Sequence, residues 1–165
     1  MKQLLIETFP IRIEPTLLKE SIRGNDGRLI VQNMILQRAD VPNKNKRVYN
    51  RSILEREGQK LITNVREAGN RGIIGELDHP ESNVVNLKNA CIGVLDLKWK
   101  GNDQLGDVEV LNTPSGNILK EILLAGYVPG ISSRGLGSVE NMIYEDEDDV
   151  VEVQDDFEMI CWDAV

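Results

Sequence analysis

The sequence predicts a mostly antiparallel α+β domain, and three observations point there. Runs of β-branched and apolar residues recur from end to end, only two segments carry a helical period, and the strand runs follow one another through short turn signals. At 165 residues the chain fits one domain, long enough to bury roughly two thirds of its unfolded surface.

Taken in order, "LLIETF" and "RLIVQNMILQRA" have the composition of strands, with turn chemistry between them from Gly24, Asn25, Asp26 and Gly27. In "RSILEREGQKLITNVREAG", Ile53, Leu54, Leu61, Ile62 and Val65 recur at near-helical spacing and Gly69 offers a stop, which predicts the first helix. "RGIIGELDHP" returns to strand and is broken by Pro80, so His79 is expected at a strand end, followed by an exposed loop over "ESNVVNLKN". "ACIGVLDLKWK", a "GND" turn and "QLGDVEVLN" make the clearest hairpin. The second helix is predicted over "TPSGNILKEILLAG", with Thr113 as N-cap, Pro114 in the first turn and Gly126 as the stop. "GISSRGLGSVENMIY" and "VVEVQDDFEMICWDAV" read as one long final hairpin around the acidic tip "EDEDD".

The net charge of −8 argues against a nucleic-acid or anionic-membrane binder, since both partners need a basic face. "KNKR", Lys44 to Arg47, is the one dense basic run and reads as a solvated loop. Cys91 and Cys161 sit in apolar runs without metal-ligand spacing, which predicts reduced core thiols, and no stretch reads as a signal peptide or membrane span.

The chain has one histidine, His79, and a tandem serine pair, Ser132 and Ser133, in a glycine-rich strand. A serine becomes a nucleophile when a base takes its proton, and near neutral pH imidazole is the natural base. On a strand Arg134 shares a face with Ser132, where it would anchor a substrate carboxylate or steady an oxyanion, or else pair with one of the chain's many acids. Backbone N–H groups around Ser133, Arg134 and Gly135 are candidate oxyanion donors; a bulged strand explains the glycines equally well. A third group should orient the histidine. A final hairpin centred on the acidic tip puts Asp163 opposite Ser132, while a shift of register would offer Cys161 or Glu158 instead. No cofactor motif is present, and a metal site built on Glu76, Asp78 and His79 is disfavoured because alternation splits them between two faces.

With those residues assembled, the chain resembles the prohead (procapsid maturation) serine proteases of tailed phages, particularly the core-protease branch of contractile-tailed phages. The landmarks are "LLIE", "NKNKRVYNRSILE", "GELDHP", "LKWKGND", "AGYVPGISSRGLGS" and "WDAV", in order along nearly the whole chain. The resemblance implies that His79 is the catalytic base and Ser132 the nucleophile. It implies a herpesvirus-assemblin-like fold, a β-barrel core with flanking helices, as one protease domain over residues 1–165 without the family's C-terminal tail. It also implies an enzyme of the host cytoplasm, inside the assembling procapsid, acting on scaffold and capsid proteins after glutamate in apolar-x-Glu contexts. Herpesvirus relatives use a second histidine, which this chain lacks, and other phage branches resemble users of an acid, so the expectation for the third member stays with Asp163 from the hairpin register.

A glutamate substrate calls for a cation, and Arg134 and Arg47 are the candidates. Such proteases resemble self-processing zymogens, and Glu20–Ser21 is the one apolar-x-Glu context expected to be accessible. No metal or cofactor, nucleic acid or membrane is expected as a partner, and a homo-oligomer is left open. The competing expectation is a non-catalytic structural or scaffold protein of the procapsid.

Overall fold

A computed structural model describes residues 1–78 and 80–165; His79 lies outside the described residues. The chain runs β1 (Gln3–Pro10), α1 (Pro15–Gly24), β2 (Leu29–Arg38), β3 (Arg47–Val48), α2 (Arg51–Glu67), β4 (Ile73–Glu76), β5 (Ala90–Lys100), β6 (Asp103–Val110), α3 (Pro114–Leu124), β7 (Gly130–Gly137), β8 (Val139–Asn141), β9 (Val151–Val153) and β10 (Glu158–Ala164). A short 3-10 turn, Leu87–Asn89, precedes β5.

The predicted helices form where the local signals put them. Thr113 caps α3 by accepting from the Gly116 amide at 3.0 Å, and α2 buries Ile53, Leu54 and Ile62 on one stripe. A third helix, α1, was not expected. Pro15 pre-sets its first turn, Leu18 is buried, and the Ser21 hydroxyl ties it to β2 by donating to Ile30 O at 2.7 Å and accepting from Ile30 N at 3.1 Å. At ten residues it is too short to stand out beside the turn that follows it. Its presence also corrects the expected accessibility of Glu20–Ser21. That bond lies inside a packed helix, whereas a protease needs an extended substrate.

The strands form three sheets: β1-β7-β10, β2-β6-β5-β4 and β3-β9-β8. All pairings are antiparallel except β3 with β9. The first two sheets enclose the core, in which Leu5, Val31, Leu36, Ile92, Val94, Val108, Trp162 and Ala164 are buried. They meet along one seam, where Leu77 bridges Ala164 in parallel and the Asp78 amide donates to Ala164 O at 2.6 Å. Gly75 permits that approach, because a Cβ there would sit 1.6 Å from the Trp162 carbonyl oxygen. No described sheet closes on itself, so the architecture shown is α+β with facing antiparallel sheets.

The final third returns antiparallel around the acidic tip as expected, β7 against β10 and β8 against β9, but the run is split between two sheets. β7 pairs with β1 on one side and β10 on the other, while β8 and β9 leave for the third sheet and carry the acidic tip with them. Gly135 shows why glycine recurs along β7: a Cβ would lie 2.5 Å from the Phe157 ring.

Candidate active site

β7 is the middle strand of its sheet, and it delivers Ser132, Ser133 and Arg134. Asp163 on β10 pairs directly with Ser132, as expected, though the route to that register differs. Glu158 and Met159 pair with Leu136 and Gly135, and the register then steps at Ile160 so that Cys161 meets Arg134 and Asp163 meets Ser132. The bulge is held from α2: buried Glu57 accepts from the Met159 amide at 3.1 Å, and Arg56 donates to Asp155 O and Phe157 O at 3.0 Å each. Sequence reasoning missed Glu57. The signal was a carboxylate standing between Leu54 and Leu61 on the apolar stripe of a helix.

Alternation separates the two serines. The Ser133 hydroxyl faces the interior and accepts from Gln37 Nε2 at 2.9 Å. Ser132 shares the opposite face with Arg134 and Asp163, and its hydroxyl makes a single long contact among the described residues, 3.5 Å to Ser133 O. One serine is therefore committed to packing, and the other makes only that long contact among the described residues. Because β7 is paired along both edges from Ile131 to Leu136, the amides of Ser133, Arg134 and Gly135 lie inside a ladder.

Arg134 is fully buried, and its five N–H donors are taken up by protein. Nε donates to Asp163 Oδ2 at 2.9 Å, and Nη2 to Asp163 Oδ1 at 3.0 Å and Glu76 Oε2 at 2.9 Å. Nη1 donates to the carbonyls of Ser82, at 2.8 Å, and Val84, at 3.5 Å. Asp163 Oδ1 also accepts from the Glu76 amide at 2.8 Å. The chain thus brings Ser132, Arg134 and Asp163 onto one face, with Glu76 beside them.

Burial works to raise the Glu76 carboxyl, but hydrogen bonds from the Asn86 backbone, Arg134 and Asn89 outweigh it and hold the group below the ordinary carboxylate range. A carboxyl depressed by folding stabilises fully above its unfolded pKa and loses that contribution as pH falls through the folded value. Stability is therefore expected to decline below about pH 4, and Glu76→Gln to flatten that decline, measured by urea unfolding across pH.

Arg47 sits elsewhere, at the rim of β1. It donates to Glu7 Oε2 at 2.9 Å and Ile6 O at 3.3 Å. Glu7 is buried and gathers the whole "NKNKRVY" segment: Asn43 Nδ2 at 2.9 Å, Asn45 Nδ2 at 2.8 Å, Arg47, and the Tyr49 hydroxyl. Burial and then the Glu7 carboxylate push the Tyr49 phenol well above its usual pKa, which keeps it a donor. This hub was invisible in the sequence, where Glu7 looks like the polar member of an alternating strand. A cleft of ≈570 Å³ opens beside it, lined by Leu4, Ile6, Asn45, Arg47 and Glu81. Leu4 and Ile6 alternate with Thr8, the partner of Ser132, so the cleft lies on the Ser132 face of the sheet.

Cys91 and Cys161 are buried thiols, as expected. Desolvation pushes Cys91 up to about 12 and Cys161 higher still, so neither offers a thiolate at neutral pH. Both are expected to stay unmodified when folded protein meets iodoacetamide at pH 7.5, and to react only in urea, counted by mass spectrometry. No helix among the described residues is long and apolar enough to cross a membrane.

Residues 10–165 match the family described as prohead core protein serine protease. The chain is similar to the prohead core protein protease of Enterobacteria phage T4, 35% identical over 146 residues that cover 83% of this chain and 68% of that protein. Among solved structures it is similar to the bacteriophage T4 capsid assembly protease, with a TM-score of 0.77 and 29% identity over 99% of this chain and 97% of that one.

Proposed function

The chain belongs to the prohead core protein serine protease family, and from that premise we propose that it is a serine endopeptidase that cleaves scaffold and capsid proteins inside the assembling procapsid, in the host cytoplasm. Residues 1–165 act as one protease domain in this reading, with the facing sheets as its barrel-like core and no metal or cofactor in the reaction. The observation that carries it is the contrast between Ser133, whose hydroxyl is bound to Gln37, and Ser132, whose hydroxyl makes among the described residues only a 3.5 Å contact, on the face it shares with Asp163.

In the chemistry proposed, His79 removes the Ser132 proton as Oγ attacks the scissile carbonyl carbon. The tetrahedral intermediate collapses, the C–N bond breaks, and His79 returns the proton to the leaving amine. Water then hydrolyses the acyl-enzyme by the same proton path in reverse. Asp163 is the third member in this reading, and its charge is shared with Arg134. The first test is cleavage of peptides containing an apolar-x-Glu site by the wild type and by Ser132→Ala; equal rates would remove the reading.

Cleavage after glutamate is assigned to the cleft beside Arg47. Arg134 has its donors on Asp163, Glu76 and two carbonyls, whereas among the described residues Arg47 uses Nη1 alone, and it is partly exposed at the cleft. Leu4 and Ile6 would take the apolar residue of the substrate. Arg47→Gln is expected to lower kcat/KM for a Glu peptide by about 1.5–3 kcal/mol of transition-state binding, the strength of a charged hydrogen bond, while a matched Gln peptide changes little. Equal loss for both peptides would place the pocket elsewhere.

A further inference from the structure

We propose that Arg134 is a positioning residue: its guanidinium clamps both stems of the segment carrying His79 to the strand carrying Ser132. The inference rests on reading those two residues as base and nucleophile, and it assigns Arg134 a role that does not touch substrate.

The geometry is specific. On the upstream stem Nη2 holds Glu76 Oε2 at 2.9 Å, three residues before His79. On the downstream stem Nη1 holds Ser82 O at 2.8 Å and Val84 O at 3.5 Å, three and five residues after it. The third grip is on β10, through both oxygens of Asp163. Arg134 itself stands two residues from Ser132 on the same strand and face.

The upstream stem is also tied through its backbone, the Leu77 amide donating to Asn89 O at 3.0 Å and the Asp78 amide to Ala164 O at 2.6 Å, and the guanidinium adds the side-chain grip. Glu81 to Val84 are exposed, and Asp78 has a left-handed backbone at φ 83°. Glu76 adds to the grip by accepting from Asn89 Nδ2 at 3.3 Å. A planar fork with five donors satisfies acceptors from three chain segments at once; an ammonium, a compact charge on a flexible stem, does not. That difference separates a clamp from simple neutralisation of Asp163 and Glu76.

Arg134→Lys keeps the charge and loses the fork. Two readouts apply: kcat and KM on a peptide substrate, and the NMR titration of the imidazole, which is unambiguous because the chain has one histidine. The expected result is folded protein with kcat reduced roughly 100-fold at unchanged KM, the size of effect that misplacing a reacting group by an ångström produces. The imidazole titration midpoint moves in the same variant. Wild-type kcat, or an unmoved midpoint, overturns the clamp.

If Arg134→Lys does not fold, Glu76→Gln loosens the upstream grip and leaves the Asp163 pair in place. It is expected to lower kcat and to speed amide exchange across Glu81–Asn86, and wild-type exchange there overturns the proposal. If the wild type itself cleaves no peptide, the protease reading fails, and the imidazole titration and amide exchange alone decide the clamp.

Discussion

Ser132→Ala is expected to lower kcat by about 10⁶-fold with little change in folding, because a nucleophile acting as one unit with its base contributes nearly the whole covalent pathway. The structure makes the neighbouring variant an internal control. Ser133 accepts from Gln37 Nε2 in the core, so Ser133→Ala leaves a buried amide without its partner and should cost about 1–3 kcal/mol of stability while sparing cleavage per folded molecule. The two effects are opposite in kind at adjacent positions. Peptide cleavage and urea unfolding measured on both variants separate them. Activity lost with Ser133→Ala and kept with Ser132→Ala would reverse the assignment, and loss in neither would point to an assembly role without catalysis.

The largest effect on stability is expected at Asp163. Its carboxylate accepts from Arg134 Nε and Nη2 and from the Glu76 amide, all in a site shielded from water. Asp163→Ala leaves buried Arg134 with Glu76 as its one carboxylate partner and orphans the Glu76 amide, so a loss of about 3–5 kcal/mol is expected. That is a large part of the 5–15 kcal/mol typical of a whole domain, and the variant should be partly unfolded at moderate temperature. Asp163→Asn retains an acceptor at the same place and is expected to lose less. Its kcat, corrected for the folded fraction, reads the orienting role separately, because an amide does not stabilise an imidazolium. A loss below about 1 kcal/mol for Asp163→Ala, the range of exposed pairs, would show that the site is solvated.

The organisation legible in the sequence was mostly the kind set by local periodicity. The β5–β6 hairpin, α2, and α3 with its Thr113 cap all formed where alternation, helical spacing and capping chemistry put them. The pairing of Asp163 with Ser132 was also legible, but for an incomplete reason. A hairpin count reached the right partner, while the actual register depends on the bulge at Ile160 and on Glu57 from a distant helix. The same count missed the departure of β8 and β9 into their own sheet, because alternation specifies which face of a strand is apolar and not which strand lies beside it.

By itself, then, the sequence determined the strand and helix periods, the reduced core thiols, and the two serines on opposite faces of one strand. It carried the landmarks of a prohead protease as well. Tertiary structure alone decided what the charges do. Glu7 is the hub of the Asn43–Tyr49 segment, and Arg134 is bound to residues from 50 to 58 positions before it and 29 after it. The physical reason is that a charge acquires its role from desolvation and from acceptors that other segments bring to it. Neither leaves a local pattern in the chain, whereas the burial of an apolar face repeats with the period of the element that carries it.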